Sequence, residues 1–278
     1  EVSNSASQIS GPGAAGLLIQ WLTAPFAVAV DAVSFVASAV LVARITARET
    51  VDAPATRSGL RREIAEGLRY LVRDPRWRAM STFVAVFNFG AGITGPLIIV
   101  YAVRRLGLSA GELGLVFMLG NVGWLAGAAT AQRIGEALGI GRAMLAMGAF
   151  CGAISYATPL TTRSAAIPVL VVAQAVGSFA LVVLNVNGRS LYQALVPPRL
   201  LGRMNASRRW IVWGIIPLGN VLGGALATAV GLRTTLFAGG AIVLASSATL
   251  CTRSIVSIAT VDGDARAPGD GSVAAAAE

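Results

Sequence analysis

A carboxylate stands at Asp31, inside the run "AVAVDAVSFVASAVLV" of residues 27–42, where Ser34 and Ser38 are the other polar side chains. An acid in such a segment must face protein or water, or hold a proton, because an ionised group in hydrocarbon is costly. Ser34 and Ser38 follow it at i+3 and i+7, which draws one polar stripe along a helix. Two chemistries fit: a candidate site for proton coupling, or a hydrogen bond that fixes the rotation of this helix against a neighbour. Asp31 lies past Pro25 by roughly 9 Å of helix at 1.5 Å per residue, which is shallow in a bilayer, and the structural role is expected. Amides embedded in other apolar runs form the second set: Gln20, Asn88, Asn121, Gln174, Asn185, Asn187 and Asn220. Leaving them in lipid unpaired costs free energy, so they either line a path for a polar ligand or bond between helices. Trp124, Trp210, Trp213 and Tyr101 would supply apolar walls or interfacial anchors.

Other chemistries are excluded by residue type. The chain has no His and no Lys, so a Ser-His-Asp triad, a His metal site and a phosphate-binding Walker lysine are all impossible. Cys151 and Cys251 fall in separate expected helices, which supports neither a disulfide nor a metal pair. No catalytic residue, metal ligand or cofactor is expected, and the chain reads as a non-enzyme.

The elements that must position these residues are helices in a membrane. Of 278 residues, 55% are hydrophobic and 13% charged, against about 25% charged in a soluble domain. Apolar runs close to the roughly 20 residues needed to span hydrocarbon recur along the chain. They predict helices over 5–22, 25–45, 80–103, 111–134, 142–160, 166–194, 208–230 and 234–255, giving an all-α polytopic protein. Lengths near twenty and the small-residue content argue against barrel strands. Gly123 and Gly127, Gly148 and Gly152, and Gly219 and Gly223 form three Gly-x-x-x-Gly pairs suited to close helix packing. Pro12, Pro96, Pro168 and Pro217 are placed to kink their helices.

All 22 basic residues are Arg, and threading the helices alternately puts only Arg104, Arg105, Arg163 and Arg233 on one side. The positive-inside rule then places both termini and the 46–77 loop in the cytoplasm. The net charge of +9 is thus a topology signal, and a nucleic-acid partner is not expected. Most connections are short, but 46–77 contains "SGLRREIAEGLRYLVRDPRWRAM", where Leu60, Ile64, Leu68 and Leu71 share one face opposite arginines. Residues 58–73 therefore predict an amphipathic helix at the cytoplasmic surface, with Asp74-Pro75 as its stop. The expected organisation is helices over 1–45, a connector over 46–79, a six-helix unit over 80–257 and a disordered cytoplasmic tail over 258–278. Two helices, a long cytoplasmic loop and six more helices suggest a six-plus-six architecture whose first four helices precede this stretch.

Three segments carry a resemblance. "SQISGPGAAGLL" resembles the fifth-helix antiporter motif of exporters, with Gly11, Pro12 and Gly16 matching and Ala15 standing where the first paired glycine would be. "LRREIAEGLRYLVRDPRWRAM" resembles a central connector, and "LYQALVPPRLLGRMNASRRWIVWGIIPLGNVLGG" a tenth-to-eleventh helix region. The chain resembles the C-terminal two-thirds of a major facilitator superfamily transporter, in the branch of enterobactin-exporter-like and transmembrane secretion effector proteins. The resemblance implies a multi-pass protein of the bacterial inner membrane that exports small lipophilic or amphipathic molecules, of drug or siderophore type, by alternating access with proton antiport. It places Asn88 and Gln174 on cavity-lining helices, with Asn121, Asn185, Asn187 and Asn220 as further cavity candidates. Gly11, Pro12 and Gly16 would bias the opening, and Gly219 and Gly223 would pack. It makes the helix of Asp31 peripheral to the cavity. Where the family has a Gly-x-x-x-Asp-Arg-x-Gly-Arg loop, "AATAQRIGEA" keeps Arg133 and Gly135 but has Gln132 for the Asp, so no charge relay is expected there. The expected partners are a small-molecule substrate, the lipid bilayer, protons and the preceding helices of the same chain. A permease subunit of an ATP-driven exporter and a non-transporting membrane scaffold remain alternatives.

Overall fold

Asp74 and Pro75 start a helix. The Asp74 carboxylate accepts the backbone N–H of Arg76 at 2.8 Å, and Pro75 takes the first helical position, where its missing donor costs nothing. In this computed structural model the described residues are 24–44, 74–195 and 198–256, with the side chains at 24, 25, 27, 193–195, 198–213 and 253–254 left aside. The expected helix 5–22, Gly11, Pro12, Gly16, Gln20, the connector helix 58–73 and the tail 258–278 lie outside them.

The described elements are helical. Helix α1 covers Ala24–Ala43, α2 Pro75–Arg104, α3 Ala110–Gly120, α4 Val122–Leu138, α5 Ile140–Ile154 and the single turn α6 Ala157–Leu160. Beyond a 3-10 turn at Arg163–Ala165 come α7 Ala166–Leu195, α8 Pro198–Ala229 and α9 Leu232–Ser246, a second 3-10 turn at Ser247–Leu250, and α10 Arg253–Val256. Among the described residues, four helical stretches are long and apolar enough to cross a membrane: Pro75–Arg104, Ala110–Leu138, Ile140–Leu160 and Arg163–Tyr192. Val28–Ala43 and Gly214–Ala229 are shorter apolar helices. The expected spans 25–45, 208–230 and 234–255 thus fall on helices, but of shorter described apolar length. Helices suit hydrocarbon because each satisfies its own backbone donors and acceptors.

Two groups of helices make the body. Helix α2 packs on α8 and α9, α7 packs on α3, α4 and α5, and the α5–α9 contact joins the groups. Large side chains fill both ends: Phe83, Met144, Leu184, Leu191 and Leu250 in one cluster, Leu97, Tyr101, Leu113, Leu170 and Leu236 in the other. Every described side chain of α1 is exposed, and its stripe of Asp31, Ser34 and Ser38 with it.

Glycine makes the helix contacts between these clusters. Apolar side chains gain little from leaving lipid for each other, so close backbone approach must supply the packing energy. The Gly219/Gly223 and Gly123/Gly127 pairs do this at both glycines, and the Gly148/Gly152 pair does it at Gly152. A Cβ on Gly223 would lie 2.7 Å from the Ile93 carbonyl oxygen of α2, and Gly219 meets the Phe89 carbonyl of the same helix. On α4, Gly123 rests on the Ala175 carbonyl of α7, and a Cβ on Gly127 would lie 2.8 Å from the Phe179 carbonyl. On α5, Gly148 faces Phe83 and Ser247, and Gly152 presses on Leu244. The α4 seam runs further than the motif, because Gly135 abuts the Asn187 side chain.

Candidate functional site

The six candidate amides within the described residues divide by what their hydrogen bonds do. Three of them work between helices. Gln174 of α7 donates through Nε2 to Oδ1 of Asn121 at 3.1 Å, where α3 gives way to α4. Asn187, only 4% exposed, donates through Nδ2 to the Ala131 carbonyl of α4 at 3.1 Å and to Val183 of its own helix at 2.9 Å. These are the bonds a bilayer favours, since a buried amide left unpaired in hydrocarbon is penalised.

The other three amides are not used in this way. Asn88 is half-buried on α2 and donates to its own helix at Val84, 2.9 Å away. Asn185 does the same to Leu181 at 2.9 Å, from an exposed position on α7. Asn220 is exposed on α8, and among the described residues no side chain or carbonyl pairs with it. In both Asn88 and Asn185 the side-chain oxygen has no described donor. The Asn121–Gln174 bond is the one hydrogen bond between any two of the six.

Asp31 is exposed, and Ser34 donates to its backbone carbonyl at 2.7 Å rather than to its carboxylate. No described residue of another helix bonds to that carboxylate. Gln132 donates to Glu136 at 2.9 Å on the same face of α4, a local amide–carboxylate pair, and Arg133 is exposed. Glu112 closes a capping box with Ser109 at the start of α3. Tyr101 is buried in the core rather than lining an opening, and Trp124 is half-buried.

One participant escaped the sequence reading. Ser178 Oγ donates to the Gly120 carbonyl at 3.0 Å, one turn beyond Gln174 on the same face of α7. The i, i+4 spacing of Gln174 and Ser178 was its available signal. A groove of about 290 Å³ lies between α5–α6 and α7, lined by Ile154, Ala157, Pro168, Val169, Val172 and Ala173. It contains none of the amides and opens onto the apolar surface.

Among the described residues no group of His, Cys, Asp or Glu is placed to hold a metal ion. Cys151 is buried and Cys251 exposed, both as free thiols. A membrane-permeant maleimide is therefore expected to modify Cys251 and spare Cys151 until the chain is denatured. Equal labelling of both in the native protein, read by mass spectrometry, would contradict the packing of α5.

Apolar helices of spanning length, joined by glycine seams and interhelical amides, define a multi-pass helical membrane protein. Over residues 2–274 the chain matches the family described as transmembrane secretion effector, and it belongs to that family of major facilitator superfamily transporters. No curated protein matches it.

Proposed function

We propose that the chain is part of a secondary active exporter of the bacterial inner membrane, which moves small lipophilic or amphipathic molecules by alternating access in exchange for protons. Family membership supports transport, and the observation that carries the site is the division of the amides. Asn88, Asn185 and Asn220 keep hydrogen-bonding capacity free within otherwise apolar helices, as a weakly polar substrate path requires. Asn121, Gln174 and Asn187 are assigned to holding helices together. Asp31 is assigned a structural role rather than proton coupling.

The proposed architecture has eight spans in this chain, with both termini and the 46–77 loop cytoplasmic. Cys251 then labels from the cytoplasmic face of oriented membranes. The protein, reconstituted in liposomes with a lipophilic fluorescent dye, tests the function. Dye movement is expected to follow an imposed proton gradient. Alanine at Asn88, Asn185 or Asn220 is expected to slow it about threefold to tenfold, the worth of one neutral hydrogen bond. Asp31→Asn is expected to retain proton-driven transport. Movement only with ATP and a partner subunit, or none under either condition, would overturn the proposal.

A further inference from the structure

The membrane stretch Ala110–Leu138 is two helices meeting at Asn121. That residue sits roughly 17 Å from the Ala110 end at 1.5 Å per residue, near the middle of a 30 Å core. Its backbone N–H still reaches Phe117 at 2.9 Å, but the next turn tightens, with Trp124 N–H donating to Asn121 rather than to Gly120. The Gly120 carbonyl is taken up across the interface by Ser178 Oγ at 3.0 Å, and the Asn121 side chain by Gln174. A break of this kind in hydrocarbon persists only when a neighbouring helix meets the freed groups.

The two pieces are held to α7 by different means. Helix α4 meets it backbone to backbone through Gly123 and Gly127, and the Asn187–Ala131 hydrogen bond ties the same pair further along. It cannot slide without forcing carbonyls into Cα atoms or stripping a buried amide. Apart from Gly120, which sits tight against Gln174 beside Asn121, helix α3 meets its surroundings through Leu113 and Val116, packed among Leu97, Ala166 and Leu170. Branched apolar side chains change rotamers without leaving any polar group unmet. Its start is also self-sufficient, because the Ser109–Glu112 capping box satisfies its first donors locally.

We propose that Asn121 is a hinge. Helix α3 pivots about it as a separate body, Gln174 and Ser178 form the socket, and α4 with α7 forms the fixed frame. The proposal is independent of which solute is moved and of what drives it.

Spin labels on the full chain test this, with Cys151 and Cys251 replaced by alanine. One pair is placed at Leu115→Cys on α3 and Val172→Cys on α7, the other at Ala129→Cys on α4 and Ser190→Cys on α7, all exposed positions. Pulsed electron resonance in lipid nanodiscs reads the distance distributions. In the otherwise unaltered chain the α3 pair is expected to be about twice as broad as the α4 pair, as motion about a hinge requires. Gln174→Ala is expected to broaden the α3 pair further and leave the α4 pair unchanged. Equal widths in the parent chain, or equal broadening of both pairs by Gln174→Ala, would overturn the hinge. Should Gln174→Ala fail to fold, the parent comparison decides alone.

Discussion

Gly223→Leu is expected to remove most of the folded protein, whereas Gly224→Leu, one residue along, leaves the yield unchanged. The two glycines face different ways on α8, about 100° apart. A Cβ at Gly223 would lie 2.7 Å from the Ile93 carbonyl oxygen and 2.9 Å from its Cα, while a Cβ at Gly224 meets nothing within 4 Å. Side-chain tips can move aside, but backbone cannot, so leucine at 223 must part α2 from α8. Overpacking costs about 1–3 kcal/mol when the core can adjust, and about 3 kcal/mol is expected here. That is about a hundredfold shift toward unfolded chain. The monodisperse fraction and melting temperature in detergent provide the check. Similar behaviour in the two variants would refute the assignment of faces on α8.

Asn187→Leu and Asn185→Leu are expected to separate stability from transport. Both residues lie on α7 within one turn, yet Asn187 is buried against Gly135 and Ala131, and Asn185 is exposed. Leucine at 187 forfeits an interhelical bond of about 0.6–1.7 kcal/mol and pushes a branched carbon onto Gly135 at about 1–3 kcal/mol more. The melting temperature should fall steeply. Leucine at 185 breaks only a bond within its own turn, so stability should hold while dye transport drops about tenfold. Stable but inactive Asn187→Leu, paired with unstable Asn185→Leu, would invert the proposed roles.

The placement of the four helices of spanning length, expected at 80–103, 111–134, 142–160 and 166–194, was legible because it depends on run length and composition, which are local properties. Residues 166–194 were expected as one helix, and α7 runs over Ala166–Leu195. The glycine pairs were legible for a similar reason, since Gly219 and Gly223 mark a small face whatever lies against it. The roles of the amides were not. Asn185 and Asn187 differ by two residues and hence about 200° around a helix, so their environments depend on the rotation of α7. No local pattern fixes that rotation. The break at Asn121 was also missed, because 111–134 reads as one apolar run and the groups that sustain the break come from Gln174 and Ser178. Helix α8 starts at Pro198, ten residues before the expected Arg208. Arg199, Arg203 and Arg208 interrupt the apolar run on which the expected start rested, and a helix is free to continue through them.

The glycine seams have a directional property. At Gly219, Gly223, Gly123 and Gly127 the hydrogen standing where a Cβ would be points at a carbonyl oxygen of the opposite helix: Phe89, Ile93, Ala175 and Phe179 respectively. Each is arranged as a weak C–H···O contact. The acceptors on each partner are four residues apart, matching the spacing of the glycines, so both contacts in a pair engage at one register. An axial slip of one residue, about 1.5 Å, disengages both, and the next matching position lies about one turn away. These seams therefore act as detents. Whatever rocking the bundle undergoes must tilt α2 with α8, and α4 with α7, as paired planks whose relative height does not change.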